Sequence, residues 1–396
     1  MTAAALPVDT GLFDDIQRFG AADVKACFSC GICTATCPLV GEDSGFPRRM
    51  IRYAEVGLRD KLLSSPELWQ CYACGQCSES CPTQAEPSAF MASARRYAIA
   101  SYDRTGLART MYTHTWFGVL ISVLLAVFFA AFMYSAHGVM SSTSLDIFGF
   151  VPEELIHNTG VLVMILIALA GFVGLATMSR RVARNNGVGL RTLFGGRAAL
   201  ARTFRAAWQA LAVETLAQRD FRAECESTKP SHWFTARWFI HAATMWGFLG
   251  LLAATVIDYG LAVIGVKATG TPVPIWYPVR LLGTIAGLAL VYGTSMLIWR
   301  RYQRADRSLK TSTPADWTFL ILVELAGISG FAIELGLYLP QPPVWAYWLF
   351  LFHVAVAMEL VLLAPFIKFA HAIYRPLALF FISFAERPPE AAHGNQ

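Results

Sequence analysis

CFSCGICTATCP, residues 27–38, returns as CYACGQCSESCP at residues 71–82, and both runs read C-x-x-C-x-x-C-x-x-x-C-P. A structural zinc site takes four ligands in two separated pairs. Here three cysteines follow one another at two-residue intervals, so three thiolates cap three corners of one compact cluster. The fourth stands apart, before Pro38 or Pro82. This is the run that binds a [4Fe–4S] cluster, with the fourth cysteine of each run ligating the other cluster. On that pattern Cys27, Cys30, Cys33 and Cys81 hold one cluster, and Cys37, Cys71, Cys74 and Cys77 hold the second. Crossed ligation accounts for the duplication, because each run completes its neighbour's site and draws the two clusters into a short wire. Gly31 and Gly75 stand mid-run, where any tight turn would also take glycine, so they discriminate nothing.

Outward from the cysteines, the composition changes. Eight of the nine cysteines lie between Cys27 and Cys81; Cys225 is alone and receives no role. A disulfide framework suits small secreted chains, but the opening MTAAALPVDTGLFDD is acidic, lacks an apolar core and does not read as a signal peptide. Hydrophobic residues make up 55% of the 396-residue chain and charged residues 15%. Soluble chains average about 25% charged, so this is the composition of a membrane protein. The net charge of +5 does not point to nucleic acid, because the arginines flank apolar spans.

Residues 1–110 read as a soluble α-helical domain, with helices expected in FDDIQRFGA and SAFMASARRYAIASY around the cysteine runs. Residues 111–378 hold six apolar stretches, each near the roughly 20 residues needed to cross a bilayer. They cover 114–136, 156–178, 234–257, 279–299, 316–338 and 346–373. The fifth and sixth carry Glu324, Glu334 and Glu359, intramembrane acids that are candidates for a quinone or proton site; helix–helix hydrogen bonding accounts for them equally well. Pro365 is expected to kink the sixth span. Arginine crowds the segments after spans two and four and is absent from HGVMSSTSLDIFGFVPEE and LPQPPV, which puts both termini and the cysteine domain in the cytoplasm, on an inner-membrane, multi-pass chain. Residues 180–232 are expected to form an amphipathic helix on the headgroups or a docking surface for a partner, and 379–396 a cytoplasmic tail.

Of the eight histidines, several sit at span ends, where an interfacial role is the ordinary one. The sixth span differs. His353 and His371 are 18 residues apart, which on one unbroken helix is five turns and about 27 Å, with both rings on one side. One imidazole would then lie near each membrane face, the layout for two stacked b-type haems. At the cytoplasmic end His371 pairs best with His241, since the rival His232 is interfacial and points to the opposite face of its helix. At the outer end His353 is assigned His157, with His137 weaker; His114 could displace any of these.

These residues carry a resemblance. Residues 20–100 look like the C subunit of heterodisulfide reductase, and residues 156–378 are similar to the haem b membrane subunits of heterodisulfide reductase and nitrate reductase (gamma). FHVAVAMELVLLAPFIKFAH resembles the helix whose two histidines ligate both haems, and RWFIH the one that supplies a partner. The fusion resembles the C subunit of the quinone-interacting membrane-bound oxidoreductases (Qmo). Tricarballylate-utilisation proteins B are the second resemblance, ranked lower because their cysteine runs lack regular C-P endings. One departure stands out: WGFLGLLAAT has no histidine where the gamma subunits carry a second ligand. The resemblance implies a ferredoxin-like domain on a six-helix cytochrome b bundle. It implies two [4Fe–4S] clusters, one or two haems b, and electron transfer between cytoplasmic flavin or iron–sulfur subunits (Qmo A/B- or HdrA-like) and a quinone. Flavin or nicotinamide chemistry would belong to those partners, since neither a G-x-G-x-x-G fingerprint nor a CCG cluster occurs here. A redox sensor without turnover and a transporter gated by the cysteine domain are rivals from other classes.

Overall fold

In lipid a spanning segment must satisfy its own backbone, which leaves helices or closed barrels. The computed structural model, describing residues 7–20, 24–39, 45–225, 232–267, 273–305 and 307–385, takes the helical solution, with no strand among the described residues. Helix α1 (Pro87–Tyr102) organises the N-terminal unit. Six helices are long and apolar enough to cross a membrane: α2 (Thr115–Tyr134), α3 (Glu153–Asn185), α4 (Arg237–Val263), α5 (Pro278–Tyr302), α6 (Pro314–Leu337) and α7 (Val344–Leu363). A last helix, α8 (His371–Ala385), follows. Helices α4 and α5 pack most closely, because Gly247 and Gly293 leave no side chain between the two backbones. From there the packing runs α5 to α6 to α7, with α2 and α3 both laid against α7.

Two spans differ from their expected extents, each for a physical reason. Helix α3 runs to Asn185, well past residue 178, because its last turns leave the lipid and enter the N-terminal unit. Met178 and Val182 are buried in the core that holds Leu62, Tyr97 and Tyr102, and Lys61 Nζ donates to Asn185 Oδ1 at 2.9 Å. The charges of SRRVARN thus mark where α3 leaves the apolar phase and do not end the helix.

The sixth span is not one helix. It ends at Leu363, passes through short 3-10 turns at Ala364–Phe366 and Lys368–Ala370, and is extended at Ile367 (φ −115°, ψ −163°) before α8 begins. Pro365 supplies no N–H and its ring crowds the carbonyl one turn back, so the α-helix cannot continue through it. The expectation that His353 and His371 share one face of a continuous helix is therefore corrected: His371 opens a separate helix. So is the expectation of a tail from residue 379. Helix α8 runs to Ala385, burying Tyr374, Ala378 and Phe381 in the N-terminal core; residues 386–396 lie outside the described residues.

The segment after α3 is helical in pieces, Leu190–Phe194, Arg197–Trp208 and a π-helix at Gln209–Leu216. Leu200, Phe204, Trp208 and Leu211 are exposed at helical spacing, while Arg202 donates to the Phe384 carbonyl of α8.

A buried charge cluster ties the two units together. Arg96 of α1 donates to Asp316 Oδ2 at 2.6 Å and to the Phe19 carbonyl at 2.9 Å, while Arg301 and Lys368 face the same carboxylate at 3.7 and 3.4 Å. Removing one partner of such a buried network leaves uncompensated charge, a loss of about 3–5 kcal/mol. Asp316→Ala should accordingly lower the thermal midpoint in detergent and make the N-terminal unit open to limited proteolysis; an unchanged midpoint would show the cluster to be dispensable.

A candidate two-cluster and imidazole site

The two cysteine runs adopt the same backbone. In each, the third residue is left-handed (Ser29 φ 60°, Ala73 φ 53°), and so is the fifth (Gly31 φ 90°, Gly75 φ 88°). Each then opens a four-residue helix, Ile32–Ala35 or Gln76–Glu79. Both mid-run glycines occupy the left-handed conformation that a tight turn requires. Their φ suits glycine, and a Cβ on Gly31 would also crowd the Arg48 guanidinium at 3.2 Å.

The eight run cysteines form no disulfide among the described residues. Cys77 feels the charges of Cys71, Cys74 and Cys37, and more weakly Cys33; burial first, and these like charges next, push its thiol far up. Burial and then Cys27 and Cys30 raise Cys33, and Cys81 adds to the charge felt by Cys27. Cys37 thus acts on Cys77 and Cys81 on Cys27, the cross-run proximities that crossed ligation needs. Thiolates gathered in this way need cationic metal to remain deprotonated. No trio of His, Cys, Asp and Glu among the described residues converges on one metal ion, whereas a four-iron cube spreads its ligands more widely. Cys37, Cys71, Cys74 and Cys77 line one pocket with Phe46 and Met91. Amide N–H groups of Ala73 and Ala85 donate to Cys71 Sγ and Cys81 Sγ, both at 3.3 Å, as donors to cluster sulfur do. Burial pushes Cys81 up, but its hydrogen bonds from Thr83 and Ala85 outweigh this and hold it low.

A second site lies next to the second run. The Tyr72 ring stacks on Phe221 at 5.0 Å, and Phe221 meets the edge of His241 at 5.4 Å. His241 in turn faces His371 with ring centroids 6.3 Å apart. Two imidazoles binding one metal at about 2 Å per nitrogen have centroids roughly 6 Å apart, so the pair has the spacing of two axial ligands. Both side chains are half-buried. The His371 Nδ1–H donates to the Lys368 carbonyl at 2.6 Å. His241 Nδ1 meets Gln218 Oε1 at 3.1 Å, the Gln218 amide nitrogen being directed to Met245 Sδ. Both tautomers are thereby fixed with the Nε2 lone pair free, as outer partners of metal-bound histidines do.

Gln218 carries no signal in the sequence. It is buried, follows the π-helix, and has φ 52°, an unusual conformation for a residue with a side chain. Were the pair to hold a haem, Gln218→Ala should weaken its retention about tenfold or more, read by haem per chain after dialysis against apomyoglobin. Retention equal to the parent would remove Gln218 from the site.

The outer pair is not assembled. His353 Nδ1 meets Ser329 Oγ at 2.9 Å. His157 lies against Glu153 (3.5 Å) and stacks near Tyr259. No ring contact joins His157 to His353 among the described residues, so these two do not fit a shared metal. His137 stacks on Tyr134, His114 bonds Thr113 and His232 stacks on Phe234; none reaches the pair. The acids serve as helix–helix bonds: Glu359 accepts from Ser122, Glu324 from Thr294 and Ser295, and Glu334 from Arg280. The side chain of Cys225 is not among those described.

Comparison with known proteins finds matches in both halves of the chain. Residues 23–85 match the 4Fe-4S dicluster domain, and residues 119–392 match the family described as citrate utilization protein B. The chain belongs to that family. Among curated relatives, citrate utilization protein B of Escherichia coli is 31% identical over 140 residues, 35% of either chain. The C subunit of the H(2):CoB-CoM heterodisulfide,ferredoxin reductase of Methanothermobacter thermautotrophicus is 37% identical over 62 residues, 16% of this chain and 34% of that one. The chain thus matches about a third of the length of each. No solved structure matches significantly. The likeness of the iron–sulfur domain to the C subunit of heterodisulfide reductase therefore stands on the curated relatives. The specific likeness to Qmo finds no support, and the family is of the utilisation-protein kind that ranks second on sequence alone.

Proposed function

We propose that the chain is the membrane electron-transfer subunit of a quinone-linked oxidoreductase, passing electrons between a cytoplasmic flavin or iron–sulfur partner and the quinone pool. Its working parts would be a cytoplasmic unit of residues 1–110 and a membrane unit of residues 111–378. The observation that carries this reading is the His241–His371 pair at 6.3 Å, joined to the second cysteine run through Phe221 and Tyr72. Cys27, Cys30, Cys33 and Cys81 would hold one [4Fe–4S] cluster, Cys37, Cys71, Cys74 and Cys77 the other, and His241 and His371 a haem b. Clusters and haem each take up and release one electron at a time. The protein's part is placement. Lys368 and Gln218 fix the imidazole tautomers, and the stacked pair Tyr72–Phe221 bridges the second run and His241. Glu324 and Glu359, hydrogen-bonded to hydroxyls, suit proton exchange with a quinone better than Glu334, which Arg280 neutralises.

With the arginine-rich segments taken as cytoplasmic, both termini lie on that side. The exposed stripe Leu200–Phe204–Trp208–Leu211 would rest in the headgroups. The family match favours a partner acting on a citrate-type carboxylic acid; the heterodisulfide reductase likeness favours one acting on a disulfide. Stopped-flow mixing of the oxidised protein with a short-chain quinol, read at the haem bands, separates transfer from sensing. A rapid and complete rise of the haem bands is expected. Slow, partial reduction would overturn the proposal in favour of a sensor.

A further inference from the structure

The two cysteine runs share their backbone but not their surroundings. In the second run four successive carbonyls accept from arginines far away in sequence. Arg375 donates to Gln70 O at 3.4 Å, Arg95 to Cys71 O at 2.8 Å, and Arg237 to Tyr72 O and Ala73 O at 3.2 and 2.8 Å. Arg375 also stacks over the Tyr72 ring at 4.3 Å. At the equivalent carbonyls of the first run, residues 26–29, no arginine donates among the described residues. Arg237 precedes His241 by one turn and Arg375 follows His371 by one turn, so two of the three guanidiniums stand between the second run and the imidazole pair.

We infer that Arg95, Arg237 and Arg375 are tuning residues that make the cluster of Cys37, Cys71, Cys74 and Cys77 the more oxidising of the two. Reduction adds one negative charge to a cluster, and fixed positive charge in a low-dielectric surrounding stabilises that charge. Turning four carbonyl oxygens toward the arginines has the same sign, since it points the negative end of each dipole at a guanidinium. An electron arriving at the first cluster then runs downhill to the membrane-side cluster, next to Tyr72 and the histidines.

The inference rests on the two-cluster reading, and the test keeps the two apart. Full-length protein in detergent is titrated by EPR, with iron counted, for the parent, Arg375→Gln, Arg375→Lys and Arg95→Gln. A parent without two cluster signals would end the two-cluster reading itself. With both present, Arg375→Gln and Arg95→Gln are expected to lower the higher-potential wave alone. The expected shift is about tenfold in the reduced-to-oxidised ratio, or ~59 mV for one electron. Arg375→Lys, which keeps the charge, should restore most of it. Movement of the lower wave, no movement in either glutamine variant, or loss of iron in both glutamine variants would overturn the assignment; the last would make the arginines purely structural.

Discussion

Replacing Cys37 by alanine should empty the cluster of the other run. Two cubanes carry about eight irons and one about four, so iron and sulfide per chain are expected to fall by half. The remaining EPR signal should belong to the site of Cys27, Cys30, Cys33 and Cys81. The reason is spatial: Cys37 lines the pocket with Cys71, Cys74 and Cys77, and Cys77 feels its charge. Cys81→Ala should have the mirror-image effect, since Cys81 acts on Cys27. Combining Cys37→Ala with Cys74→Ala distinguishes crossed from uncrossed ligation. Crossed ligation predicts that the double variant loses no more iron than either single one, about four. Uncrossed ligation predicts that each single change damages its own run, and that the double variant loses both clusters.

Replacing His371 by alanine should strip the haem while leaving the iron–sulfur content untouched. His241 and His371 face one another at 6.3 Å from separate helices, so each is half of the proposed axial pair. Loss of either should cut haem per chain at least about tenfold, since even an outer partner contributes 10–100-fold to metal retention. His241→Ala is expected to match it, and His157→Ala to leave haem at the parental level. The membrane helices do not depend on either ring, so a pyridine haemochrome assay on monodisperse protein reads ligation directly. Full haem retention in both His241→Ala and His371→Ala would refute the pair.

The cysteine runs are legible in the sequence because their chemistry depends on local spacing, and two residues between thiolates mean the same in any fold. The six spans are legible because lipid imposes length and apolarity together. What escapes a linear reading is set by contacts distant in the chain. The end of α3 looks like a stop because SRRVARN is charged, yet Met178 and Val182 there are covered by Leu62 and Tyr102. The histidine spacing of 18 residues places both rings on one face only if the helix is unbroken. Pro365 instead ends it, and His371 reaches His241 only because Ile367 turns the chain. The choice of His241 as partner rests instead on its depth in apolar sequence, which a broken sixth span does not affect, and the two rings meet. Gln218 and the arginines at 95, 237 and 375 belong to no motif and converge only in three dimensions.

The most direct test of the electron wire is a reduced-minus-oxidised visible spectrum of the detergent-purified chain, with haem and iron counted and a quinol analogue as reductant. The account predicts about eight irons, at least one haem b, and haem bands that rise on adding quinol. Eight irons with no haem would contradict it, leaving a membrane-anchored iron–sulfur protein in which His241 and His371 merely pack.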